Sequence, residues 1–141
     1  MKDYVSEVVK LETNSKSILI KKDLETVWNA IANDEVFSIW YAPGSKWNIP
    51  IFKAGEQATF TLMPSSYNDL KNGESLTMEF TIKEVVQNQK FSYFWDSNQM
   101  LFSIELSSEP GGTRVEFNQE GFAYSLANLN AYLENKELPY S

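Results

Sequence analysis

The chain contains no cysteine and no histidine. Without cysteine there is no disulfide, no thiolate nucleophile and no cysteine-based metal site. Without histidine the commonest general base and the commonest transition-metal ligand are missing. Ser-His-Asp and Cys-His catalytic devices are therefore impossible, and acid–base chemistry is left to Asp, Glu, Lys and Tyr. Basic residues are few, with 12 Lys and Arg against 19 Asp and Glu and a net charge of −7. The lysines are scattered and the largest basic cluster is Lys21-Lys22. No basic stripe is present, so nucleic acid and anionic membranes are not expected partners, and the acidity serves solubility. No run approaches the ~18 apolar residues of a membrane span, so no membrane insertion is expected. The start, Met1 to Val5, lacks the apolar stretch of a secretory signal, which makes a cytoplasmic location the expectation. Phosphate loops, dinucleotide fingerprints, EF-hands and metal-ligand spacings are all missing, so neither a cofactor nor a metal is expected.

What the chain has is length enough for one domain, 141 residues, and a heavy aromatic load of 4 Trp, 7 Tyr and 9 Phe. Aromatic side chains fill wide interiors and also line ligand pockets. Residues 1–14 mix Val5, Val8, Val9 and Leu11 with charges and read as an N-terminal arm of open structure. A single domain is expected over 15–141.

Ser17 to Ile20 is a β-branched run and reads as a strand. Asp23 then caps a helix in which Leu24, Val27, Trp28 and Ile31 keep helical spacing. Asp34 is expected to cap a second short helix carrying Val36, Phe37, Ile39 and Trp40, which Pro43-Gly44 ends. From residue 45 the period changes to two. Trp47, Ile49 and Ile51 alternate, with Pro50 marking an edge. Ala58, Phe60 and Leu62; Leu76, Met78, Phe80 and Ile82; Phe91, Tyr93 and Trp95; Met100, Phe102, Ile104 and Leu106; and Val115 and Phe117 alternate with polar residues. This is the pattern of antiparallel strands with one buried face. Turn residues separate the later runs, so consecutive strands should pair as a meander. Residues 63–75 form a longer polar loop of the functional kind. After Gly121 a long helix over 122–136 is expected, with Phe122, Leu126, Leu129 and Leu133 on its inner stripe and Asn130 beside them.

A sheet with one apolar face needs a cover, and the long C-terminal helix is the one available. The order predicts an α+β helix-grip fold: a curved antiparallel sheet wrapped around that helix, with two short helices after the first strand. Three segments carry a family resemblance: Ile18-Leu19-Ile20 through Val27-Trp28-Asn29-Ala30-Ile31 to Phe37-Ser38-Ile39-Trp40-Tyr41; Phe80 through Trp95; and Gly111-Gly112-Thr113-Arg114-Val115-Glu116-Phe117 with Gly121-Phe122 and the helix to Leu133. Across 15–136 the chain resembles the Hsp90 ATPase activator homologue (Aha1 C-terminal-like) branch of the START/Bet v 1-like SRPBCC superfamily. It departs from that pattern where members often carry His before the terminal Gly-aromatic pair, since Gln119 stands here, and where they often end with Trp, since Phe122 stands here.

The resemblance implies lipid or hormone binding, cyclase chemistry or chaperone association, since one fold hosts many activities. The leading expectation is non-enzymatic binding of a small apolar or aromatic molecule between sheet and helix. Its candidate lining is Trp28, Phe37, Trp40, Tyr41, Trp47, Phe60, Met78, Phe80, Tyr93, Trp95, Phe102, Phe122 and Leu126, which as a set read equally as pocket or filled core, while each taken singly reads as core. Gln119 reads as a polar ligand anchor or as a strand-end amide bonded to backbone. Asn130 either faces the ligand or flanks the stripe toward water. Glu79, Glu84, Glu105 and Glu116 lie on polar strand faces and do not converge as a carboxylate pair; Arg114 is expected to pair with such acids. No catalytic residue is assigned. A chaperone partner of the Hsp90 type and a cyclase- or hydrolase-like enzyme lacking His remain alternatives, and monomer and homodimer both stay open.

Overall fold

A computed structural model of the protein describes residues 16–141, so the expected N-terminal arm lies outside the described residues. Strand β1 (Ser17–Ile20) leads into helices α1 (Leu24–Ala32) and α2 (Asp34–Tyr41). The chain continues through β2 (Lys46–Asn48), β3 (Gln57–Leu62), β4 (Leu76–Val86), β5 (Lys90–Trp95), β6 (Leu101–Glu109) and β7 (Gly112–Phe117), and ends in α3 (Ala123–Leu133). The seven strands form one antiparallel sheet in the order β1-β7-β6-β5-β4-β3-β2. Strands β2 to β7 are thus a meander, and β1 closes onto the last of them. A register shift between Ile82 and Glu84 interrupts the β4–β5 ladder, and such a bulge bends and twists its strand.

Alternation sorts the side chains as expected. Ala58, Phe60, Phe80, Ile82, Phe91, Tyr93, Ile104, Leu106, Val115 and Phe117 are buried on the concave face, where Leu126 and Leu129 of α3 join the same apolar core. On the convex face Lys90 Nζ lies 3.3 Å from Glu84 and 3.6 Å from Glu105. The hydrogen bond to Glu84 is the first cause that raises the Lys90 pKa. These groups are partly exposed, so the cluster serves solubility more than stability. Arg114 pairs with Glu109 at 2.8 Å, an acid of the same β6–β7 hairpin. This is the helix-grip α+β fold.

Three local expectations are corrected. The cap of α2 is Asn33, not Asp34: its Oδ1 accepts the N–H groups of Glu35 and Val36 at 3.0 and 3.2 Å. Asp34 instead accepts the Ile49 N–H at 2.8 Å, and the Ser38 hydroxyl accepts the Trp47 N–H at 2.8 Å. Two side chains of α2 thereby satisfy N–H groups of the edge strand and of the residue just past it, which is one way to protect a sheet edge. The second strand run ends at Asn48, so Ile49 and Ile51 lie past it. Finally, α3 stops at Leu133 rather than 136. Asn135 takes a left-handed φ of 57°, while Asn135 N–H donates to Tyr132 and Lys136 N–H to Ala131. That pair of bonds is a Schellman stop.

Candidate ligand groove at the mouth of the helix grip

The site begins with a helix that ends inside the protein. Pro43-Gly44 stops α2 against α3, leaving its last carbonyls without helical partners. Side chains of α3 supply them: the Ser125 hydroxyl donates to the Tyr41 carbonyl, and Asn128 Nδ2 donates to the Trp40 carbonyl at 3.4 Å. Asn128 also holds the chain's end, donating to the Tyr140 carbonyl at 3.3 Å and accepting its N–H at 3.0 Å. One buried amide thus ties α2, α3 and the C-terminal segment together.

Behind this junction the aromatics pack on one another. Trp47 contacts Phe37, Phe60, Phe80 and Tyr93 at ring separations of 5.0–5.3 Å. Phe102 stacks on Tyr93 at 5.5 Å, and Phe122 stacks on Phe117 at 4.3 Å. The structure therefore places Phe37, Trp40, Trp47, Phe80 and Tyr93 in filled core. Trp40 Nε1 donates to the Ala30 carbonyl at 2.9 Å, and Trp28 packs on Phe52 at 5.9 Å. Gln119 Nε2 donates to the Leu101 carbonyl at 2.9 Å. Asn130 and Leu126 line a separate groove between α3, β1 and the C-terminal segment. Met78 and Trp95 border a shallow hollow at the far end of the sheet.

Tyr41, Phe60 and Phe122 come together elsewhere, in a groove of about 470 Å³ at the open mouth of the grip. Its walls are completed by Ala42, Leu62, Tyr67 and Tyr124. Loop 63–75 roofs it, and that loop is tied in place. Met63 N–H donates to the Ser45 hydroxyl at 2.9 Å, Asn68 Nδ2 to the Met63 carbonyl at 2.9 Å, and Leu70 N–H to Asn68 Oδ1 at 3.0 Å. Tyr67 of the loop meets Tyr124 edge-on at 5.5 Å, and Tyr124 stacks on Tyr140 at 3.9 Å. Sequence reasoning missed Ser45, Ser125, Asn128 and these three tyrosines. Ser125 and Asn128 sit three residues apart, opposite a helix end that needs donors; that need was the available signal.

One polar contact joins Tyr41 of the groove to the core behind it. The Tyr41 and Tyr93 hydroxyls are 3.1 Å apart. Burial pushes both phenols above their ordinary range, Tyr93 further still through Tyr41 beside it. They stay protonated near neutral pH and act as donors rather than bases.

The family model described as Activator of Hsp90 ATPase homolog 1-like protein matches residues 22–135. The chain belongs to this family. Several solved structures share its fold. Protein SSP2350 of Staphylococcus saprophyticus is 19% identical over 89% of this chain and 94% of its own, with a TM-score of 0.64. A protein of Rhizobium leguminosarum is 17% identical over 85% and 92%, with a TM-score of 0.65. An AHSA1-like protein of Aeromonas hydrophila is 18% identical over 84% and 91%, with a TM-score of 0.59. At these identities the likeness is one of fold. No curated protein matches the chain significantly.

Proposed function

We propose that this family member binds a small, largely apolar or aromatic molecule in the mouth groove. The observation that carries this reading is the groove itself: about 470 Å³, walled by Tyr41, Phe60, Leu62 and Phe122, and held open by a hydrogen-bonded frame. That volume lies in the range of small-molecule sites, and mostly apolar walls are their usual lining. Binding without chemistry suits walls whose phenols stay protonated. Native mass spectrometry of the purified protein, beside its denatured extract, tests the reading. A reproducible adduct is expected, and Ala42→Trp, which pushes an indole into the groove, should abolish it. An apo mass, together with no response to a panel of apolar fluorophores, would overturn it.

A second reading comes from the family description, stimulation of an Hsp90-type ATPase. Met63, Leu76 and Met100 are large apolar side chains exposed by 40–46%, and such residues are available to a protein partner. Co-purification with a bacterial Hsp90 and a raised ATP turnover are the expected results; neither one appearing would remove this reading.

A further inference from the structure

Two hydroxyls that face only each other make one hydrogen bond and leave one O–H proton over. Tyr41 and Tyr93 are such a pair: their mutual contact at 3.1 Å is the hydroxyl bond each makes among the described residues. Each phenol oxygen carries one proton, so whichever donates, the other still has a proton to give. Trp47 meets both rings edge-on, at 5.3 Å from Tyr41 and 5.2 Å from Tyr93. Its fully buried Nε1–H has no acceptor either. Phe37, Phe60, Phe80, Phe91 and Phe102, which crowd the same rings, offer no oxygen. The centre of the grip is thus rich in donors and poor in acceptors. Buried donors left unpaired are costly and usually have a purpose.

The two tyrosines differ in access. Tyr41 lines the mouth groove and is partly exposed, whereas Tyr93 is fully buried and does not line it. The spare proton that a molecule in the groove can meet is therefore that of Tyr41, with Tyr93 donating to Tyr41 behind it.

We propose that the groove selects apolar molecules bearing a neutral, carbonyl-type oxygen, which accepts a hydrogen bond from the Tyr41 hydroxyl. This deepens the binding reading above and rests on it. A neutral acceptor fits better than a carboxylate, because the surrounding rings hold no cation to offset a buried negative charge, and the chain's net charge is −7. Among the described residues no Lys or Arg lines this groove.

The test uses two probes of nearly equal shape, 2-acetylnaphthalene and 2-isopropenylnaphthalene, which differ by C=O against C=CH₂. Their dissociation constants are measured on the full chain by tryptophan fluorescence. The ketone should bind roughly tenfold more tightly, the worth of one hydrogen bond to a donor otherwise unpaired. In Tyr41→Phe the ratio should fall to about one, while in Tyr93→Phe it should stay well above one. Because the readout is a ratio of two probes on one protein, a general loss of packing moves both and leaves it unchanged. Equal binding of the probes to the native protein, or a ratio that survives Tyr41→Phe, overturns the acceptor inference while leaving the groove intact. Failure of both probes to bind overturns the groove reading and this inference together.

Discussion

The Tyr41–Tyr93 contact has a consequence for stability as well as for binding. In an unfolded chain both phenols ionise near their ordinary value of ~10. In the folded protein burial holds both higher. Between the two values the unfolded state has already lost its protons and the folded state has not, so unfolding is favoured as pH rises. The stabilising contribution is complete below about pH 10 and disappears with increasing alkalinity. Urea midpoints measured from pH 7 to 11.5 should stay level and then fall steeply above about pH 10. Tyr93→Phe should flatten that fall, because one of the two groups is gone. An alkaline limb identical in both proteins would show that the pair is not what titrates. Nothing in the residue pattern announces this contact. Tyr41 ends a helix and Tyr93 centres a strand, 52 positions apart, and periodicity says only that each points inward. Asn128 shows the same limit from the other side. Counting at helical spacing brought Asn130 toward the inner stripe, whereas the buried amide is Asn128, on the flank that α2 occupies. The stripe was legible, but the neighbour that decides its width was not.

At the level of elements, alternation and turn residues marked every strand of the meander, because a half-buried sheet writes its two faces directly into the sequence. Element ends were less legible. Asp34 and Asn33 are both good caps, and only the tertiary demand of the Ile49 N–H assigns Asp34 elsewhere. Likewise the stop after Leu133 depends on Asn135 taking a left-handed turn. The α2–α3 junction makes a specific prediction. Asn128→Ala leaves the Trp40 carbonyl and the Tyr140 backbone without their shared partner, which should cost about 2–3 kcal/mol. Hydrogen exchange should then speed up at the C-terminal segment and the end of α2 while the sheet stays protected. Uniform loss of protection across β3 to β7 would show that the amide does not act locally. A second junction lies between β7 and the end of β1. Gly112 has a φ of 153°, and a Cβ built there runs into the carbonyl oxygen of Ile20. Gly112→Ala should destabilise the fold by about 2 kcal/mol or more, seen as a melting point several degrees lower. An unchanged melting point would mean that β1 shifts without cost. The Gly111-Gly112 pair reads in sequence only as a turn; the close approach of β1 supplies the stricter reason for the second glycine.

For the molecule as a whole, the sequence shows which aromatics face inward but not how their volumes sum against the curvature of the sheet. That sum decides whether the grip is hollow or filled. Here Trp47, Phe37, Phe80 and Tyr93 fill its centre, and free volume survives at the mouth, where the start of α3 faces loop 63–75. A groove so placed communicates with solvent, so the field of the whole chain acts on what arrives. With a net charge of −7, an anion approaches against repulsion that falls as salt screens it. A neutral molecule feels no such barrier. The protein should therefore bind the neutral N-phenyl-1-naphthylamine more tightly than 1-anilinonaphthalene-8-sulfonate, which shares its ring framework and adds one negative charge. The preference should be about tenfold or more at 20 mM salt, combining long-range repulsion with the cost of bringing a sulfonate against apolar walls. Raising salt to 0.5 M should narrow the gap without closing it, since salt screens only the first of these two contributions. A preference for the sulfonate would require a cation at the groove that the described residues do not place there, and would move the binding site away from the mouth of the grip.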